Sequence, residues 1–346
     1  MEENIYALLP GALLPWYGEH KRDLPWRQDK DPYHVWLSEI MLQQTRVEAV
    51  KGYYARFLSA LPNVRSLALA EEEQLHKLWE GLGYYTRVRN LKKAAQAVCR
   101  DYGGTFPKEY AQVLALPGIG EYTAGAICSI AFDQPIPAVD GNVLRVCARL
   151  TDSSRPIDDP AYKKEIRRAL AEIYPRQAGD FTQALMELGA TVCGPNRPPE
   201  CENCPCKAFC QGRRSGRAAG LPVKSPKRSK RLAQKTVFVF CAHGRYALNR
   251  RPDKGLLAGL WEFPNCDGFL EPEQALAWAA EKLHPRDIRR QMERKHIFTH
   301  IQWDMRCYYI DVSEPGGAFS WFTAEQIDHQ AALPTAFRQF WEERHV

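Results

Sequence analysis

Hydrophobic positions along the first two-thirds of the chain recur with helical spacing. Ile5, Leu8, Leu9, Leu13 and Trp16 form one such stripe, Leu75, Leu78, Trp79 and Leu82 a second, and Leu91, Ala94, Ala95 and Val98 a third. Residues 121–132 (EYTAGAICSIAF) are apolar throughout, with small side chains on one side, which predicts a buried helix. Residues 162–173 and 179–190 predict two more amphipathic helices, and breakers such as Gly103-Gly104 and Pro117-Gly118 mark loops. The period changes beyond residue 233. TVFVFCA (236–242), RYALNR (245–250) and MRCYYIDV (305–312) predict strands, while 273–283 and 335–344 predict helices. The pattern therefore divides the chain into a mostly α N-terminal domain over 1–212, a connector over 213–233 and a smaller α+β domain over 234–346.

The connector stands out in charge. Gln211 to Lys235 holds nine Lys or Arg and no Asp or Glu; since the whole chain carries +6, the remainder sums to −3. Such a run suits a solvated linker, which its Gly, Pro and Ser also favour, and equally a contact with a polyanion such as nucleic acid. With 45% hydrophobic and 25% charged residues the 346-residue chain has a globular balance. It lacks the run of roughly 20 apolar residues needed to span a membrane. The start, Met1-Glu2-Glu3-Asn4, is acidic where a secretory signal is basic, so a soluble cytoplasmic protein is expected.

Five of the 11 cysteines fall between Cys193 and Cys210. Cys193, Cys201, Cys204 and Cys210 are separated by seven, two and five residues, and in an intracellular chain such a set predicts a metal or cluster site rather than disulfides. Zinc and a four-iron cluster both accept four thiolates, and spacing alone leaves the two open. Cys206 reads as a spare thiol. The turn LPGIG (116–120) precedes a helix, so glycines at 118 and 120 permit unusual backbone angles and the helix start offers free N–H groups to a phosphate. Two acids stand in apolar surroundings, Glu39 in VWLSEIMLQQT (35–45) and Asp140 in AVDGNVLRV (138–146). They read as a surface acid and a helix cap, or as a protonated general acid beside an ionised carboxylate, the pair that glycosidic hydrolysis requires.

Together LPWR (24–27), VWLSEIMLQQT, GLGYYTRVRNL (81–91), LPGIGEYTAGAI (116–127), VDGNVLRV (139–146) and the cysteine run resemble the MutY-type adenine glycosylases of the helix-hairpin-helix superfamily, which also holds the endonuclease III type. The resemblance implies that Glu39 protonates the leaving adenine, that Asp140 stabilises or bonds the sugar cation, and that Tyr122 and Asn142 orient the site. It implies DNA contacts at Arg27, Gln44, Thr45, Leu82, Tyr84, Gly118 and Gly120, with Gln44 and Tyr84 entering the base stack when a nucleotide is flipped out. It implies a [4Fe-4S] cluster on Cys193, Cys201, Cys204 and Cys210, although the family pattern has six residues, not seven, between the first two. The endonuclease III type carries a nucleophilic lysine where this chain has Tyr122, so the resemblance implies a monofunctional enzyme.

LLAGLWEFP (256–264) and KHIFTHIQWDM (295–305) resemble the Nudix-like C-terminal domain of the same family. The glutamate array of nucleotide-cleaving Nudix enzymes is lacking, which argues against a Nudix hydrolase. The resemblance instead implies recognition of oxidised guanine by Phe298, Thr299 and His300, with Thr in place of the expected Ser. The implied partner is duplex DNA holding adenine opposite 8-oxoguanine or guanine, engaged by a monomer. An endonuclease III-like glycosylase/lyase and a non-catalytic DNA-damage binding protein are the competing readings.

Overall fold

The computed structural model describes residues 4–195, 197–226 and 229–344, so the acidic start lies outside the described residues. The chain forms two units: residues up to Leu69 with Asn90–Pro226, and Ala70–Arg89 with the chain beyond Pro226.

The first unit is helical, and its helices begin where the sequence supplies caps. Asp31 accepts from the N–H of Tyr33 ahead of Pro32–Leu42, Asp159 from that of Ala161 ahead of Pro160–Ala171, and Asp140 from those of Asn142 and Val143 ahead of Gly141–Leu150. In the first two, Pro occupies the opening turn, where its missing N–H costs nothing. The stripe expected around Leu9 and Leu13 packs with Val143, Val146, Phe181 and Leu188 in one core. Residues 121–132 form the expected helix, Glu121–Phe132, closed by Asp133 in the left-handed conformation. Its Gly125 has a structural purpose: a Cβ there would sit 2.5 Å from the carbonyl oxygen of Pro137. The stretch that delivers Asp140 therefore lies directly on the helix that carries Tyr122.

The second unit is built on seven strands: β1 (Arg231–Ala242), β2 (Arg245–Arg250), β3 (Trp261–Glu262), β4 (Asn265–Asp267), β5 (Pro285–Ile297), β6 (Ile301–Val312) and β7 (Ser320–Thr323). The sheet order is β3-β2-β1-β6-β5, with β4 on β1 and β7 on β2; β1 and β6 run parallel and the other pairs antiparallel. Val237, Val239, Cys307 and Tyr309 meet the helix Thr335–Glu342 on one face, while Phe238, Phe240, Tyr308 and Ile310 meet the helix Pro272–Ala280 on the other. Burial on both faces explains why TVFVFCA is apolar without alternation.

Two expectations are revised, and one strand carries no period in the sequence. The connector is largely an ordered part of the first unit: Gln211–Arg214 is helical, Arg149 Nε donates to the carbonyl of Leu221 (2.9 Å), and the N–H of Ile157 donates to that of Val223 (3.0 Å). Within it, residues 227 and 228 lie outside the described ones. Residues 70–89 join the second unit, although they precede it by more than 130 positions. Strand β5 (PRDIRRQMERKHI) has no apolar stripe; it lies at the sheet edge, where ion pairs such as Arg289–Asp311 and Arg290–Glu343 occupy its side chains.

Candidate active site

Glu39 and Asp140, 101 positions apart in the sequence, line one cleft of about 550 Å³ in the first unit, together with Arg27, Gln44, Thr45 and Tyr122. Glu39 rides on the helix Pro32–Leu42 and is only 6% exposed. Burial pushes its carboxyl up to about 7 and the charge of Asp140 adds to the rise, against the Tyr122 hydroxyl, which donates to Oε2 at 2.6 Å, and the nearby Arg27 charge. Burial raises Tyr122 well above the ordinary phenol range, so it remains a donor.

Asp140 has a different shell. Its Oδ1 accepts from the N–H of Asn142 (2.9 Å) and of Val143 (2.8 Å), and its Oδ2 from Asn142 Nδ2 (2.7 Å). Burial raises this carboxyl above its ordinary value too, and three N–H donors at a helix start, which favour the anion, offset part of that rise. Asn142 is itself held: its Oδ1 accepts from Arg145 Nη2 (2.8 Å), and Arg145 Nε donates to the carbonyl of Cys193 (2.9 Å).

The four predicted cysteines line one pocket with Arg149, whose Nη1 lies 3.3 Å from Cys193 Sγ. Among the described residues no three His, Cys, Asp or Glu side chains converge closely enough to hold a single ion. Four thiols around one pocket form a donor set that a soft metal or an iron–sulfur cluster would use. Cys206 belongs to the buried core, at 2% exposure.

Of the predicted DNA contacts, Gln44 is exposed and non-glycine at φ 60°, a strained conformation just past the end of the Glu39 helix. Thr45 follows it on the cleft wall. Gly118, at φ 75°, makes the hairpin turn, and a Cβ there would lie 2.5 Å from Cβ of Asn90. Gly120 has ordinary angles and room for a side chain, so only one of the two glycines is required by the backbone. Arg27 is 11% exposed, is paired with Glu187 and lines the cleft.

In the second unit Tyr84 is exposed, at φ 49°, and its hydroxyl lies 3.0 Å from Thr299 Oγ1. Leu82, expected at the DNA, is buried in the same loop. Thr299 and His300 are exposed in the β5–β6 turn, whereas the Phe298 ring packs edge-on against Trp303 at 4.9 Å and holds the turn in place.

The model of the HhH-GPD superfamily of base excision DNA repair proteins matches residues 37–176, and that of the NUDIX domain matches 236–343. The adenine DNA glycosylase of Mus musculus is 36% identical over 96% of this chain and 78% of its own length. The chain belongs to the adenine DNA glycosylase family. The Arabidopsis thaliana adenine DNA glycosylase is likewise 36% identical over 94% of this chain, which spans 60% of that longer relative. A solved thermostable thymine-DNA glycosylase, 27% identical, superposes with a TM-score of 0.55 over 61% of this chain and 97% of its own.

In this family member the structure adds site residues that the sequence left unmarked. Glu187, fully buried on the helix Ala178–Thr191, accepts from Arg22 (2.6 and 3.0 Å) and Arg27 (2.8 Å) at the cleft wall. Burial alone raises its carboxyl, yet the two guanidinium groups outweigh that and hold it below the ordinary range. A glutamate among Phe181, Leu185 and Leu188 on a buried face was the available signal. Lys163 also lines the cleft; on a helix rich in Lys and Arg it carries no signal in sequence.

Proposed function

We propose that this glycosylase removes adenine paired with 8-oxoguanine, or with guanine, from duplex DNA by hydrolysing its N-glycosidic bond. The observation that carries the reading is two carboxyls in one cleft with opposite support: Glu39 raised to about 7 by burial, and Asp140 accepting three N–H bonds. A flipped adenine enters the cleft, and Glu39 delivers a proton to a ring nitrogen, so the electron pair of the breaking C1′–N9 bond leaves on a neutral base. Asp140 faces the positive charge that develops on the sugar, and Asn142 keeps it oriented. Arg22, whose side chain is 37% exposed at the cleft wall, offers a donor that complements a ring nitrogen of an adenine edge. Gln44 and Tyr84 fill the stack, and Thr299 and His300 face the base opposite.

Cys193, Cys201, Cys204 and Cys210 would hold a [4Fe-4S] cluster that braces the loop joined through Arg145 to Asn142. Bound there, the cluster supplies structural cross-linking, and none of the steps above passes through it.

Lys163 favours a second reading, since an amine in the cleft could form a Schiff base with the abasic sugar and cut the strand. One assay separates the two. Excess protein is incubated with a labelled duplex holding adenine opposite 8-oxoguanine, and half of the sample is then heated in alkali. Scission at the adenine only after alkali is expected. Scission without alkali, abolished by Lys163→Ala and trapped by borohydride, would establish the lyase; intact strands in both halves would remove the glycosylase reading.

A further inference from the structure

We propose that Glu80 is a positioning residue for the choice of opposing base: it fixes the Tyr84 loop so that Tyr84 and Thr299 read that base as one rigid head. The inference rests on the reading above that Tyr84 enters the base stack and that Thr299 and His300 face the base opposite the adenine.

The loop follows the helix Glu72–Leu78 and contains three residues in left-handed angles, Gly81 (φ 94°), Gly83 (72°) and Tyr84 (49°). It is braced from within. Trp79 Nε1 donates to the Gly83 carbonyl (3.0 Å), and Arg87 Nη2 donates to those of Leu82 (3.0 Å) and Gly83 (3.1 Å). The Arg87 guanidinium also lies over the rings of Trp79 and Tyr84. These contacts give the loop a shape but do not say where it stands relative to the recognition turn.

Glu80 supplies that. Its Oε1 accepts the N–H of Leu333 at 2.9 Å, and its Oε2 accepts Arg338 Nη2 at 2.9 Å and Lys77 Nζ at 2.7 Å. Lys77 Nζ donates onward to the carbonyls of Ile327 (3.3 Å) and Ala331 (3.4 Å). The Glu80 side chain is 13% exposed, so these charge-assisted bonds escape most of the screening that weakens the open Arg250–Glu73 pair of the same segment. The loop is thus anchored at its base by Glu80 and at its tip by the contact between Tyr84 and Thr299, both to residues more than 200 positions away in sequence.

The test uses the full chain. Single-turnover excision is measured for wild type, Glu80→Ala and the milder Glu80→Gln on duplexes with adenine opposite 8-oxoguanine and opposite guanine. Hydrogen exchange is followed at residues 81–86. Replacing Glu80 is expected to cut the ratio of the two rates roughly tenfold, the scale of one charge-assisted bond, and to speed exchange at 81–86. Glu73→Ala should change neither. Equal loss on both duplexes, or an unchanged ratio with faster exchange, would mean that Glu80 only stabilises the fold. A wild type that does not distinguish the duplexes would overturn the reading of the turn instead, and unchanged exchange in Glu80→Ala would then overturn the anchor as well.

Discussion

At the scale of single residues, the two carboxyls differ by environment and not by type. Glu39 has a folded value of about 7 against an ordinary 4.5 because burial disfavours its anion. As a general acid it must be protonated, so the single-turnover rate is expected to hold below about pH 7 and fall about tenfold per unit above it. A flat profile through pH 9 would remove Glu39 from the acid role. Glu39→Gln, which cannot give up a proton, should lower the rate by at least about 100-fold. For Asp140 the expectation separates chemistry from folding. Asparagine is a good helix cap, so Asp140→Asn should change stability by less than about 1 kcal/mol while abolishing base release and sparing DNA binding. Melting and binding measured beside the rate check this, and a loss of all three would make the residue structural.

At the scale of elements, the site depends on one helix lying close to one loop. Gly125 admits the Pro137 carbonyl at a distance that no Cβ tolerates, so Gly125→Ala must push 137–140 away from the Tyr122 helix. We expect a loss of about 1–3 kcal/mol by thermal melting and a fall in excision larger than the stability loss explains. An unchanged rate would show that Asp140 is held by its cap alone. Helix 121–132 was legible to the residue because it is buried all round and ends at clear signals. Strand β5 was not legible: its side chains meet partners of opposite charge from β6 and the C-terminal helix, and such pairing leaves no period in the sequence. Leu82, which the resemblance puts at the DNA, is buried, and burial of one residue in a loop likewise leaves no period in the sequence.

At the scale of the whole molecule, the cysteine pocket lies wholly within the first unit. If Cys193, Cys201, Cys204 and Cys210 hold an iron–sulfur cluster, purified protein should carry four iron atoms and a broad visible absorbance. Removing the iron by oxidation and chelation should lower the melting of the first unit and leave that of the second unchanged; calorimetry checks this, and a single unshifted transition would assign the cysteines no structural part.

The sequence by itself determined the change from helical to strand period, the caps, the glycine turn, the ordered set of motifs that marks the family, and two acids in apolar stretches. These are local properties, written in composition and spacing over a few residues. Only the tertiary structure decided that Glu39 is dry while Asp140 is furnished with donors, that Glu187 and Lys163 stand in the same cleft, and that 70–89 belongs with the second unit. Each of these depends on side chains brought together from distant positions, and burial, charge pairing and pKa are set by such neighbours in space.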